Sequence, residues 1–339
     1  MKVFILCVTA VIAALSTVAH AHHSQAMFDM SRMVTLEGVV TALEWANPHV
    51  YIFLDQTTAD GQAIEWKIEA VGPGPLRRLG WSQDTLAAGD RIAITGNPDR
   101  KEGTRLVNLL SLRKGANVLF DSRGLVGVLA TAGDAPAVGT ASLDGTWATL
   151  LAMEVIVPLG IAPKGAIALT SAGTAALDRY DERTMSPALE CIPQPAPFLM
   201  YVPDLKRITT TDAGITIAGE YDAEQRTVHL DVANHDGATP SLQGHSIGRW
   251  EGETLVIDTA AFADHRTGNA FGVPSGSEKR LIERLTRRED GMSLTYQFEL
   301  SDPEFLAAPV TGEVRWVYRP NSQFQPEKCN RENARRFAQ

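Results

Sequence analysis

A chain of 339 residues, 44% hydrophobic and 21% charged, is long enough for two domains with cores of their own. Its 40 acidic against 31 basic residues give a formal net charge of −9, with the signs interspersed. No basic stripe runs along it, which argues against nucleic acid and anionic membrane surfaces as partners and mainly favours solubility.

Residues 1–21 read as an export signal rather than as fold. Lys2 supplies the charged start, residues 3–18 an apolar run, and Ala19-His20-Ala21 a small-x-small cleavage site. The run is shorter than the ~20 apolar residues a membrane span needs. A periplasmic or secreted protein with no span after cleavage is expected. Of the three cysteines, Cys191 and Cys329 remain after processing. An oxidising compartment predicts a disulfide between them, worth about 4–5 kcal/mol by the chain-entropy argument.

After the signal, VTLEGVVT (34–41) alternates as a strand, YIFLD (51–55) follows, and AIEWKIE (63–69) comes after an Asp60-Gly61 turn. Residues 76–80 suggest a short helix, before strands at 91–96 and 105–112. Five short strands with one helical insertion predict an OB-like Greek-key barrel over residues 22–125. OB folds often bind oligonucleotides through basic grooves with aromatic platforms, and this sequence has no such groove. The small-residue stretch ATAGDAPAVGTAS (130–142) lies in a predicted linker over 126–142.

Residues 143–339 form the second predicted domain. A helix is expected over 170–180, capped by Thr170 or Ser171. The Pro-rich stretch 187–203 must be irregular, because Pro193, Pro195 and Pro197 each lack an amide donor. Strands then follow at 206–211, 214–220, 226–231, 246–250, 254–259, 279–288, 293–300 and 312–318. That spacing predicts a closed antiparallel barrel or sandwich. Residues 261–277, with Gly268, Gly272 and Pro274, read as a mobile loop. A short helix is expected near the C-terminus, tied down by Cys329. Trp147, Trp250 and Trp316 are expected in the core. Arg284, Arg287, Arg288 and Glu289 read as a solvated face.

The most informative stretch is QGHSIGRWEGETLVIDT (243–259), two strands around a turn. A two-residue loop at Glu251-Gly252 sets His245 opposite Asp258, an imidazole beside a carboxylate that could serve as a general base. The plainer role for the pair is to fix register, worth about 0.2–1 kcal/mol. Gly244-His245-Ser246-Ile247-Gly248 also matches the G-x-S-x-G nucleophile elbow. That elbow requires a buried strand before the serine and a helix after it. Neither flanks Ser246, which reads as a strand serine.

A metal reading falls on the processed N-terminus. His22 would carry both an α-amine and an imidazole, and His23 and His49 could add further nitrogens, a set that suits copper(II). A solvated lead and a strand-capping His49 are the structural alternative.

The motifs His22-His23-Ser24, Phe28-Asp29, Val34-Thr35-Leu36-Glu37-Gly38-Val39-Val40, Glu44-Trp45, Asn47-Pro48-His49, Gly80-Trp81 and Gly89-Asp90 resemble a family of exported bacterial proteins. That family is a domain of unknown function with an OB-like fold, and the resemblance covers roughly residues 22–120. The stretch from Gly244 to Gly252 with 254–259 is similar to a second uncharacterised exported group, which more often has Asp where this chain has Glu253. Gly145-x-Trp147 resembles the first strand of lipocalins. These resemblances imply an all-β, two-barrel fold and bring no activity.

The expectation is therefore an OB-like barrel followed by a lipocalin-like barrel. Its leading function is binding a small, partly apolar ligand in the second barrel. The alternatives are a copper-binding or copper-dependent protein using His22, and an enzyme (lyase, isomerase or hydrolase) using His245 and Asp258. Sequence gives no oligomeric state.

Overall fold

The computed structural model describes residues 27–58, 60–122, 142–150, 167–270 and 272–338. The expected export signal over residues 1–21, His22, His23 and all but the last residue of the expected linker lie outside the described residues.

The first barrel is built from β1 (Val34–Glu44), β2 (Tyr51–Thr57), β3 (Ala63–Glu69), β4 (Arg91–Pro98) and β5 (Leu106–Lys114). β1 is long enough to serve two neighbours. Val34–Val39 pair with β4, and the stretch from Val39 to Glu44 pairs with β2 past a bulge between Val40 and Ala42. A bulge bends a strand and raises its twist, which lets one strand turn the corner of a small barrel. Gly38 sits where a Cβ would come within 2.3 Å of the Asp55 carbonyl oxygen, so only glycine allows this close crossing. Parallel pairing of β3 with β5 closes the ring in the order β1-β2-β3-β5-β4, with helix α1 (Pro73–Arg78) between β3 and β4. That is the OB arrangement. A further strand, β6 (Asn117–Asp121), extends it beside β5. The core is aliphatic, with Leu36, Val40, Ile52, Leu54, Ile68, Ile92, Ile94 and Leu112 all buried.

Nine strands close the second barrel: β7 (Gly145–Leu150), β8 (Leu205–Thr211), β9 (Gly214–Gly219), β10 (Gln225–His229), β11 (His245–Glu251), β12 (Thr254–Ala260), β15 (Arg280–Arg287), β16 (Ser293–Ser301) and β17 (Val310–Tyr318). Eight of the nine contacts around the ring are antiparallel. The exception is β10 with β11, parallel over Val228↔Ser246 and His229↔Ile247. Parallel neighbours need a crossover of about a dozen residues or more, and residues 230–244 supply it.

The interior of this barrel is filled. Trp147, Ile217, Leu255, Ile257, Leu285, Leu294, Tyr296 and Trp316 are all fully buried in it. Leu199 and Met200, from helix α4 (Phe198–Tyr201) in the Pro-rich segment, join the same core, and Trp316 Nε1 donates to the Met200 carbonyl at 2.9 Å. Charged groups are buried there as well. Arg226 Nη2 donates to Glu283 Oε1 at 2.7 Å, and the Tyr296 hydroxyl donates to the same oxygen at 2.7 Å.

Four expectations need correction. The Pro-rich stretch 187–203 is not irregular throughout, since Pro187–Glu190 forms a 3-10 turn and Phe198–Tyr201 a short helix that starts just past Pro197, where a missing amide donor costs nothing. Trp250 is 49% exposed rather than in the core, because it lies near the hairpin end of β11, beyond the packed interior. Residues 261–277 are not an irregular loop: β13 (His265–Ala270) and β14 (Val273–Ser275) pair there, with His265, Thr267 and Ser275 buried. Gly268 is required by close approach, since a Cβ there would lie 2.3 Å from Ser275 Oγ. Residues 230 and 231 belong to the crossover instead of a strand.

Helix α2 (Ser171–Arg179) begins at Thr170, whose hydroxyl accepts from the Gly173 amide. Helix α3 (Glu182–Met185) reaches the first barrel, where Arg183 pairs with Asp99. The C-terminal tail runs between the barrels. Cys329 is bonded to Cys191, and Arg77 pairs with Glu327. In helix α5 (Arg331–Ala334), Asn333 Nδ2 donates to Glu44 Oε1 at 3.0 Å and to the His49 carbonyl at 2.9 Å. Arg78 ties the two barrels directly, with Nη1 2.8 Å from Glu220 Oε2 and Nη2 donating to the Pro203 carbonyl at 2.9 Å.

Candidate functional site: the outer wall at β11 and β12

The β11–β12 hairpin turns at Gly252-Glu253, with Glu251↔Thr254, Arg249↔Val256, Ile247↔Asp258 and His245↔Ala260. The expected loop at Glu251-Gly252 was one residue early, so the register is off by two and His245 does not face Asp258. The reason lies in the turn. Tight hairpin loops want a left-handed residue first, and Gly252 at φ +63° provides it where Glu251 would be strained. A shift of two keeps both side chains on one face. They are diagonal neighbours on the outer wall.

The inner wall takes the alternate residues. Ser246 is 1% exposed, with its Oγ 2.9 Å from Thr259 Oγ1. It is a strand serine inside the barrel, on neither a turn nor a helix.

His235, carried by the crossover, fills the gap between His245 and Asp258. Its Nδ1 lies 2.9 Å from His245 Nδ1, and its Nε2 lies 3.6 Å from Asp258 Oδ1. Arg280 holds Asp258 from the other side, with Nε donating to Oδ1 at 2.9 Å and Nη2 to Oδ2. Burial would raise the Asp258 carboxyl, but Arg280 and His235 hold it below its usual value. His229, at the end of β10, stacks on His245 with ring centroids 5.1 Å apart. Burial, then the neighbouring His235 and His229, hold the His245 imidazole below its usual value, favouring the neutral ring.

His235, Asp258 and Arg280 of this group border a cleft of about 510 Å³. Leu230, Val232, Ala233 and Ile247 give it apolar surface, while Asp231, Asn234, His235, Arg249, Asp258 and Arg280 give it polar edges. Apolar surface and fixed polar groups thus share one concavity on the outer wall.

A second polar group of residues packs beside β13. Gln243 Nε2 donates to Glu224 Oε1 at 2.9 Å and to the Gln194 carbonyl at 3.0 Å, and Gln194 Nε2 donates to Thr267 Oγ1 at 2.9 Å. The Thr267 amide donates to His265 Nδ1 at 3.2 Å. Burial, reinforced by Asp222, pushes the Glu224 carboxyl up to about 8. Burial, then Lys279, pushes His265 down to about 4. Lys279 is itself lowered to about 7 by burial, with Nζ donating to the Ala196 and Gly268 carbonyls and lying over the Phe262 ring.

Of the residues proposed for copper, only His49 is among those described. Its Nδ1 lies 3.2 Å from the Ala70 carbonyl and 3.8 Å from Glu69 Oε1, and Asn333 of the tail covers its backbone. Sequence reasoning missed His229, His235, Glu224, Gln243 and Lys279. One signal was present: four of the eight histidines fall at 229, 235, 245 and 265.

Fold and site together define a two-barrel, all-β protein with a cleft bordered by His235, Asp258 and Arg280 on the wall of the larger barrel. Residues 10–107 match a family of unknown function, DUF6152, whose span covers most of the OB-like barrel. No curated protein matches the chain. Among solved structures, the chain is similar to one in the crystal structure of the S. pombe Stn1–Ten1 complex, at 9% identity and a TM-score of 0.20. The match covers 29% of this chain and 65% of that one, a little under two thirds of its length. The OB assignment rests on strand order and not on that likeness.

Proposed function

We propose that this is an exported binding protein that holds a small, partly apolar molecule bearing an anionic or acceptor group. The observation behind it is the cleft of about 510 Å³ on the outer wall, where Ile247 and Val232 lie beside Arg249, Arg280 and His235. The reading moves the ligand from inside the second barrel to its wall, because packed side chains occupy the interior. The Cys191–Cys329 bridge is compatible with an oxidising compartment.

A test is native purification from the exported fraction, with mass spectrometry of small molecules that travel with the protein. Titration with 1-anilinonaphthalene-8-sulfonate, an apolar anion, gives a second readout. Ile247→Asp should strip the co-purifying molecule and weaken dye binding about tenfold, the effect of about 1.4 kcal/mol. Unchanged dye binding and an unchanged co-purifying molecule in Ile247→Asp would refute the cleft.

A second reading is favoured by the Asp258–His235–His245 chain, in which a carboxylate lies 3.6 Å from one edge of an imidazole whose other edge meets a second imidazole at 2.9 Å. Such an arrangement suits proton transfer in a lyase or isomerase. A hydrolase using the same groups would need its nucleophile from the substrate or water, since Ser246 faces the interior.

A further inference from the structure

Two imidazoles that meet nitrogen to nitrogen pose a proton-counting problem. His235 Nδ1 and His245 Nδ1 are 2.9 Å apart. Two lone pairs at that distance repel, and so do two N–H groups, so the contact is favourable only with a single proton between the rings. A cation that accepts both lone pairs relieves the same conflict, once the rings turn so that both nitrogens aim at a point beside the line between them. Nitrogens bound at about 2.0–2.1 Å to one tetrahedral zinc are roughly 3.3 Å apart. The present contact needs to open by only a few tenths of an ångström.

We propose that His235 and His245 form a binding site for a divalent transition-metal ion of the zinc or copper type, with Asp258 orienting His235 from the far edge of its ring. Metal-bound histidines commonly turn their second nitrogen to a carboxylate, which fixes the tautomer and raises ligand basicity. His235 Nε2 lies 3.6 Å from Asp258 Oδ1 and has no hydrogen-bond partner within the protein, while Arg280 anchors that carboxylate. A proton on Nε2 leaves Nδ1 as a bare ligand facing His245. His229 stacks on His245 with ring centroids 5.1 Å apart and packs against that ring's face.

Among the described residues, no three His, Cys, Asp or Glu side chains converge on a metal as they stand. The site is therefore a two-nitrogen one, with remaining positions open to water or to a molecule in the adjoining cleft. Open coordination is the pattern of reactive and ligand-binding metal centres, whereas structural zinc sites are closed by four protein ligands. The proposal does not depend on an organic ligand, since the ion should bind alone.

The experiment is calorimetric titration of the metal-free, untagged, processed protein with zinc at neutral pH. One site is expected, weakened at least tenfold by His235→Gln and by His245→Gln, and weakened to a smaller degree by Asp258→Asn. His22→Ala/His23→Ala should leave it unchanged, which separates it from the N-terminal histidines. His235 lies on the crossover outside the barrel strands, so His235→Gln should unfold at the wild-type temperature in the absence of zinc. Wild-type zinc affinity in the His235→Gln/His245→Gln double variant would overturn the proposal, as would loss of binding in the His22→Ala/His23→Ala variant alone.

Discussion

The two barrels solve the same closure problem at different widths. Five strands leave room for one layer of aliphatic side chains, and Leu54, Ile68 and Ile94 fill it. Nine strands enclose more space, and the second barrel fills it with Trp147, Tyr296 and Trp316, with a segment brought in at Leu199 and Met200, and with charged groups. Those charges come with partners: Arg226 with Glu283, and Lys206 with the Val202 and Asp204 carbonyls and Thr149. The wider barrel thus carries a charged pair, Arg226 with Glu283, within its packed interior, whereas the narrow one keeps its buried polar groups, Glu69 with Tyr51 and Asp99 with Arg183, apart from its main apolar cluster. The two should fail in different ways.

The largest effect is expected where the barrels are tied. Cys191→Ser/Cys329→Ser opens a loop with a sequence separation of 138 residues, and the chain-entropy argument puts the loss near 5 kcal/mol. Urea unfolding should then separate into two transitions. A single, merely weaker transition would mean that Arg78, Arg183 and the tail couple the barrels without the bridge.

Next comes the contrast itself. Arg226→Met leaves Glu283 buried without its cation and should cost about 3–5 kcal/mol, while Arg226→Met/Glu283→Leu should recover much of that loss. Leu54→Ala in the first barrel should cost about 2–5 kcal/mol, with no second-site change of this kind to restore it. If the Arg226→Met/Glu283→Leu protein is no more stable than Arg226→Met, the pairing argument fails.

A smaller, pH-dependent effect should sharpen the comparison. The Glu224 carboxyl rises from 4.5 to about 8 on folding, so below pH 4.5 it is protonated in both states and contributes no pH dependence. Between pH 4.5 and 8 the unfolded chain loses this proton while the folded one retains it, so stability falls as pH rises. Glu224→Gln should therefore match the wild type near pH 4 and exceed it near pH 8, by on the order of 2 kcal/mol once partial solvent access is allowed for. Thermal unfolding at the two pH values decides it.

The smallest effect belongs to Ser246. Ser246→Ala removes one buried hydrogen bond to Thr259 and should cost about 1 kcal/mol, leaving zinc and dye binding intact. Labelling of Ser246 by a fluorophosphonate would contradict its place on the inner wall.

Much of this architecture was readable because strand periodicity is local. The first-barrel strands, helix α2 with its cap narrowed to Thr170 or Ser171, and the Cys191–Cys329 bridge all follow from neighbours in sequence or from a count of cysteines. The misses involve geometry that is not local. Gly252 signalled a turn but not which loop position it takes, and that single residue set the register of His245 and Asp258. Gly268 looked like flexibility, whereas it serves close strand contact against Ser275. His235 could not be placed at all, because a parallel β10–β11 pair appears only once the ring is closed.

The tail has a consequence for the order in which the chain can finish. Synthesis delivers the first barrel complete once Lys114 has emerged, yet Glu44, the His49 carbonyl and Lys67 find their partners only at Asn333 and Arg336. The second barrel cannot close before β17 arrives to join β7. A nascent chain stalled before residue 310 would therefore display one finished barrel and one open sheet, and a truncation that spares every strand but removes residues 327–339 would leave two barrels without their shared clasp.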